Sequence, residues 1–352
     1  MGRAIKIVLA TGGTGGHLYP AQALASDLEA DGIASSFIGS GLGSSPFFDR
    51  TRFDFQDVAG KSLKGNKLTA LFAIAKGTLQ SLLALRRLKP QLLVGFGGYC
   101  SFPVQLAAVI LRIPIVLFEP NRIPGKVNRF FARLSVGALV PFPAGTIGLK
   151  CREYPISMPI WKGASAKILQ KKRGLSLVAG KKTLLVFGGS QGSSSINRVV
   201  PYGVPATFQV VHITGNKGAL AEVKKIYKQR GIRATVLDYY TPLADIYRVA
   251  SLTIARAGAL SAFELMAFKV PGILIPYRYS ADGHQLANGR FLEKQVGGFV
   301  CLTEDQLSPE KIAQLLATFK TGARRKSIES YAKRNSFPSV ARVIKEQILR
   351  QR

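Results

Sequence analysis

The chain has 352 residues, 47% of them hydrophobic, with 36 glycines and a formal net charge of +30 at pH 7. That length accommodates two domains with separate cores, and the hydrophobic content excludes a disordered chain. Three widely spaced cysteines (Cys100, Cys151, Cys301) offer neither a disulfide framework nor a metal spacing, and point to a reducing compartment.

In chain order, 5–10 reads as a buried strand, too short for a secretory signal, which runs into Gly12, Gly13, Thr14, Gly15 and Gly16. A helix follows, with Ala23, Leu24 and Leu28 on its apolar face. Glycines let a backbone approach a ligand, and the start of the helix favours negative charge. The spacing is neither that of a Walker loop nor that of a dinucleotide fingerprint. His17, at the rim of this loop, has the pKa range of a general base; capping its own helix is the plainer alternative.

Positions 66–88 read as a helix with Leu68, Leu71, Phe72, Ala75, Leu79, Leu82 and Leu83 at helical spacing. Lys61, Lys64 and Lys67 precede it, and Arg86, Arg87 and Lys89 follow. A stripe facing the core is the ordinary explanation, and a membrane-surface helix is its competitor. Lys76 and Gln80 interrupt it, and Arg112 and Pro114 interrupt 104–118, so neither is expected to span a bilayer and the protein is expected to be soluble or peripheral.

A strand at 91–95 leads into a second glycine turn, with Gly97, Gly98, Tyr99, Cys100, Ser101 and Pro103, and a strand at 114–118 leads to Glu119, Asn121, Gly125 and Asn128. Positions 140–182, rich in Pro, Gly and Lys, are the expected interdomain linker. The opening pattern then repeats: strand 183–187, the loop Gly188-Gly-Ser190-Gln191-Gly192, and a helix. His212 ends the next strand, 209–213, and is expected to be structural. Tyr239 and Tyr240 precede the segment Arg256-Ala-Gly-Ala259-Leu260-Ser261-x-x-Glu264. Here a strand at 252–255 meets a small-residue turn. Ser261 is expected to cap the following helix, with Glu264 in its first turn, and a strand at 272–275 closes the unit before His284, Gln285 and Asn288. Glu264 either caps its helix or accepts two ribose hydroxyls while free helix N–H groups face a diphosphate. Positions 320–352 carry ten Lys or Arg against Glu329 and Glu346 and read as helices with a solvated basic face.

No acidic residue occurs between 58 and 118 or between 154 and 221, so the charge suits a polyanion: nucleic acid, an anionic membrane face or a pyrophosphate. No zinc-finger spacing, RNP-type motif or basic heptad array supports the first of these.

The three glycine loops, the Arg-Ala-Gly-Ala…Glu segment and the His-Gln-x-x-Asn segment, in this order, resemble the MurG family of bacterial glycosyltransferases (family 28). The resemblance implies an α/β fold of GT-B type, two Rossmann-like domains with parallel sheets facing each other across a cleft. It implies an acceptor and membrane-facing domain at 1–155, a UDP-sugar-binding domain at 156–335, and a C-terminal helix at 336–352 crossing back to the first. The implied reaction is inverting transfer of N-acetylglucosamine from UDP-N-acetylglucosamine to the muramyl 4-hydroxyl of the undecaprenyl-pyrophosphoryl carrier, lipid I, giving lipid II. His17 is then the base, with Glu119 the second catalytic candidate. Thr14, Gly15, Gly16, Asn121, Ser190, Gln191, Tyr240, Ala259, Leu260, Ser261, Glu264, Gln285 and Asn288 meet the donor. Gly13, Gly97, Gly98, Tyr99, Ser101 and Asn128 receive the acceptor pyrophosphate. Lys64, Lys67, Leu68, Leu71 and Phe72 meet an anionic membrane at the cytoplasmic face.

No cofactor, metal or nucleic acid is implied, and no Asp-x-Asp pair is present to hold Mg²⁺ under a diphosphate. Phe118 and Pro120 replace the family's His and Gln, and Trp161 replaces an Arg that serves the diphosphate, which leaves open whether Lys162 supplies that charge as a point charge rather than a bidentate fork. The alternatives are a GT-B transferase with another lipid acceptor, a UDP-N-acetylglucosamine epimerase, which the acid-poor first half opposes, and a nucleic-acid-binding protein.

Overall fold

The computed structural model describes residues 5–62, 66–142, 145–160, 175, 177–241 and 243–349. The chain divides into two compact units, Met1–Ile160 with Phe337–Arg352, and Trp161–Ser336.

The first unit runs β1 (Lys6–Ala10), α1 (Gly15–Ala30), β2 (Ala34–Gly39), β3 (Phe55–Asp57), α2 (Lys67–Leu88), β4 (Leu92–Gly95) and α3 (Phe102–Ile110). It continues with β5 (Ile115–Phe118), α4 (Lys126–Phe131), β6 (Gly137–Val140) and β7 (Glu153–Pro155). The strands form one parallel sheet in the order β3-β2-β1-β4-β5-β6-β7. Its central strands are buried on both faces, which is why they read as unbroken apolar runs rather than as alternating patterns. β7 falls inside the expected linker; Tyr154 is buried and extends the sheet, so the linker reading was too long at its start.

The second unit runs β8 (Thr183–Phe187), α5 (Ser194–Gly203), β9 (Gln209–Ile213), α6 (Lys217–Gln229), β10 (Ala234–Leu237), α7 (Ala244–Val249), β11 (Leu252–Ala255) and α8 (Ala259–Ala267). Then come β12 (Gly272–Leu274), α9 (His284–Phe291), β13 (Phe299–Cys301), α10 (Pro309–Thr318) and α11 (Thr321–Arg334). Its sheet is parallel, ordered β10-β9-β8-β11-β12-β13. Period-two alternation sends Leu185, Phe187, Val211 and Ile213 to one core and Leu184, Val186, Val210 and Ile254 to the other. After Ser336 the chain returns to the first unit, where Ser157 donates its backbone N–H to Pro338 O at 2.8 Å and its hydroxyl to Phe337 O at 2.6 Å. The short helix α12 (Val340–Val343) lies against α1.

α2 is inverted relative to the core-facing expectation. Leu68, Leu71, Phe72, Leu79 and Leu83 are exposed, Leu68 at 78% and Phe72 at 73%, while Ala70, Gly77, Ser81 and Ala84 are buried with Leu85. The reason is clearance. A Cβ at Gly77 would sit 1.8 Å from the carbonyl oxygen of Ala59 and 3.2 Å from Pro103, so only small residues fit the inner face where α2 packs on α3. Asn66 caps the helix, accepting from Leu68 N and Thr69 N. By length and composition α2 could cross a membrane.

Gly77→Ala should therefore destabilise the first unit by about 1–3 kcal/mol through overpacking. Gly322→Ala on α11, where nothing lies within 4 Å of the new Cβ, should stabilise by about 0.4–1 kcal/mol. Urea denaturation should show midpoint shifts of opposite sign.

Candidate functional site

In each sheet the strand order reverses once, between β1 and β4 and between β8 and β11. Ligands of open parallel sheets collect at the carboxyl ends of the strands beside such a reversal.

In the first unit, the loops after β1 and β4 meet there. Gly97 and Gly98 have φ of +77° and +72°, which turns the chain back towards the first loop. A Cβ at Gly98 would lie 3.4 Å from Cε1 of His17, so the imidazole lies beside the second loop's glycine. His17 is half-buried in the first turn of α1, and Thr14 is the N-cap with no side-chain capping bond. Thr14, not His17, occupies the N-cap position. Gly13 and Gly16 are exposed, Gly15 is buried against the Tyr19 ring, and Tyr99 is exposed. Ser101 is buried; its hydroxyl donates to Gly97 O at 2.8 Å and receives a bond from Gln105, so it braces the turn.

Glu119 is buried at the end of β5 and accepts from Asn121 N, Asn121 Nδ2, Gly125 N and Asn128 Nδ2 at 2.9–3.1 Å. Burial pushes its carboxyl up, and these donors pull it back. A carboxylate so occupied organises the 119–128 loop, and Asn121 and Asn128 are its partners. Phe118, in the place of the family histidine, is buried and stacks on Phe96 with ring centroids 4.8 Å apart.

In the second unit, Ser190 and Gln191 are accessible in the loop after β8, and Ser193 caps α5, accepting from Ile196 N. Ser261 does not cap α8. The small turn lets the helix begin as soon as β11 ends: Gly258 is the N-cap, no side chain caps it, and Ser261 is its third residue. The N–H groups of Ala259, Leu260 and Ser261 are thus the open start of a helix. Glu264 lies beyond the first turn, which removes the capping reading. Its Oε2 accepts from Tyr247 OH at 2.9 Å, its Oε1 takes no hydrogen bond among the described residues, and burial pushes its pKa up to about 7.

Gln285 accepts from Tyr277 N at 2.9 Å, and Asn288, fully buried, donates to Ala257 O at 3.3 Å; both brace turns around α8. Tyr240 is packed in the core while Tyr239 is 41% exposed. His212 bonds Tyr227 and Asn197, and burial lowers its pKa to about 3, a structural histidine. Lys64, Trp161 and Lys162 lie outside the described residues. Among the described residues, no three His, Cys, Asp or Glu side chains converge as a metal would require.

Residues 7–139 match the Glycosyltransferase family 28 N-terminal domain, and residues 183–345 match the Glycosyltransferase family 28 C-terminal domain. The chain belongs to glycosyltransferase family 28. A relative from Protochlamydia amoebophila is 37% identical over 93% of this chain and 91% of its own length. One from Chlamydia trachomatis serovar L2 is 34% identical over 97% and 99%. Both carry the name UDP-N-acetylglucosamine--N-acetylmuramyl-(pentapeptide) pyrophosphoryl-undecaprenol N-acetylglucosamine transferase. The fold is similar to that of Acinetobacter baumannii MurG (TM-score 0.73, 22% identity, 98% of this chain and 99% of that one). It is also similar to that of the glycosyltransferase SnogD from Streptomyces nogalater (TM-score 0.72, 16% identity, 99% of each).

For this family 28 chain, the residues that sequence reasoning left without a role are Arg256, Ser195, Glu304 and Tyr247. Arg256 is buried, pairs with Glu304 at 2.7 Å, and donates to Ile275 O, Pro276 O and Ser195 Oγ. It ties the ends of β11 and β12 to the start of α5. Glu304 lies 109 residues from Ser195, so no local pattern signals the pairing.

Glu119→Ala leaves several buried donors without an acceptor and should cost about 2–4 kcal/mol in chemical denaturation. His17→Ala, on a half-buried ring, should change stability by less than about 0.5 kcal/mol.

Proposed function

We infer that this chain transfers N-acetylglucosamine from UDP-N-acetylglucosamine to the 4-hydroxyl of the muramyl sugar in undecaprenyl-pyrophosphoryl-MurNAc-pentapeptide, the lipid I to lipid II step of peptidoglycan synthesis. Family membership and nearly full-length relatives bearing that name support the reaction. The observation that carries the donor assignment is Glu264: a half-buried carboxylate with one oxygen held and the other unfilled, on a helix whose start is uncapped.

Glu264 holds the ribose hydroxyls, and the helix starts at Gly258 and Ser193 face the diphosphate. The bond from the anomeric carbon to the UDP oxygen breaks as the acceptor oxygen attacks from the opposite side, inverting that carbon. His17 takes the hydroxyl proton, UDP leaves with the bonding pair, and helix N–H groups stabilise its new charge. Glu119 acts through the loop it braces rather than as the base.

His17→Ala should lower kcat by roughly 10²–10⁴-fold, with little change in donor affinity, in an assay of UDP release with lipid I. Near-normal turnover removes His17 from the mechanism. A second test uses pH. The charged form of Glu264 is the one that accepts ribose hydroxyls, and its pKa stands at about 7 without donor. Donor affinity should therefore hold above pH 7 and fall as pH drops through it, and Glu264→Gln should flatten the profile.

The lipid acceptor brings the enzyme to a bilayer, and the exposed α2 face supports that reading. Leu68, Leu71 and Phe72 stand outward with Lys67 exposed at the start of the helix, and Leu79 and Leu83 continue the face towards exposed Arg86 and Arg87 in its last turn. Each cation contributes about 1 kcal/mol near an anionic surface, screened by salt. Anionic vesicles should bind the protein and release it in salt, and Lys67→Ser with Phe72→Ser should weaken binding without unfolding. Tight duplex DNA binding with no vesicle binding would favour the nucleic-acid reading of the charge.

A further inference from the structure

A carboxylate that receives two hydroxyls needs a fixed direction as well as a charge, and a glutamate on a helix has several rotamers open to it. What limits Glu264 is Tyr247, on the neighbouring α7. Tyr247 is fully buried, with its ring edge-on to Phe187 at 6.2 Å and tilted against Phe268 at 5.5 Å. Packed on both sides, the ring has one orientation, and its hydroxyl meets Glu264 Oε2 at 2.9 Å. Burial holds the phenol well above its ordinary range, so it remains the donor at every pH of interest.

We propose that Tyr247 is a positioning residue for the sugar nucleotide: its hydroxyl holds Oε2 of Glu264 and thereby sets the direction in which Oε1 meets the ribose. The proposal rests on the assignment of Glu264 to the ribose. Other charges on the surrounding elements are paired among themselves: Asp245 with Arg248, Arg256 with Glu304, Lys269 with Glu329, and Arg290 with Glu293. Tyr247 is thus the group that bonds directly to the carboxylate and offsets part of the desolvation of its charge.

Tyr247→Phe keeps the ring and removes one oxygen. It should raise the KM for UDP-N-acetylglucosamine roughly ten-fold, with kcat at saturating donor unchanged. The pH at which donor affinity falls should move upward, because the carboxylate has lost a donor. The same change made in Glu264→Gln should leave the flat pH profile flat. Calorimetry gives an independent reading: donor binding at pH 7 should release more protons from Tyr247→Phe than from the wild type. A lowered thermal midpoint with unchanged KM, pH profile and proton release would make Tyr247 a packing residue and overturn the proposal. Unaltered donor affinity in folded Glu264→Ala would instead overturn the ribose assignment itself, whatever Tyr247→Phe does.

Discussion

Parallel pairing is the constraint on which the rest of this protein depends. Strands that all point one way bring every strand-to-helix turn out at one edge of the sheet. Each following helix then presents unpaired N–H groups at that edge, and the reversal of strand order opens a place for a ligand between diverging turns. Both units obey it: the loops after β1 and β4 gather in one, and those after β8 and β11 in the other. Anionic leaving-group chemistry needs such donors, so the fold supplies a large part of the electrostatics before any side chain is chosen.

Scarcity of acid shapes the rest. With 19 acidic residues against 49 basic ones, several carboxylates act as loop braces. Asp57 accepts from Leu42 N and Gly43 N, Glu119 holds the 119–128 loop, and Glu304 joins Arg256 to Ser195. A charged acceptor makes stronger bonds to backbone N–H than a neutral one, so one carboxylate can order a whole turn. Glu264 departs from this pattern: one oxygen accepts from Tyr247 and the other takes no hydrogen bond among the described residues, which is what the proposed ribose contact requires.

The inverted α2 follows from packing geometry. Close approach to α3 and to the Ala59 carbonyl requires Ala, Gly and Ser inward, and the helix's large apolar residues are left outward. The contiguous exposed apolar face on a chain this basic is the observation behind the proposed contact with an anionic bilayer.

Periodicity and glycine placement were enough to determine the strands that open the glycine loops and their neighbours: 252–255, 209–213 and 183–187 coincide with β11, β9 and β8, while β7 lay hidden in the expected linker. Strand-loop-helix order, with the family motifs, determined the two-domain α/β class. These are local properties, set by side-chain alternation and by which residues tolerate a tight turn. Which face of α2 lies inward was beyond the sequence, because helical spacing marks an apolar stripe without saying whether protein or membrane covers it. The start of α8 at Gly258 rather than Ser261 followed from the backbone path out of β11. The burial of Tyr240 in place of Tyr239, the four donors on Glu119 and the Arg256–Ser195–Glu304 bracket were likewise decided in three dimensions. The physical reason is separation along the chain: Ser195 and Glu304 stand 109 residues apart, and only the folded sheet brings their side chains together.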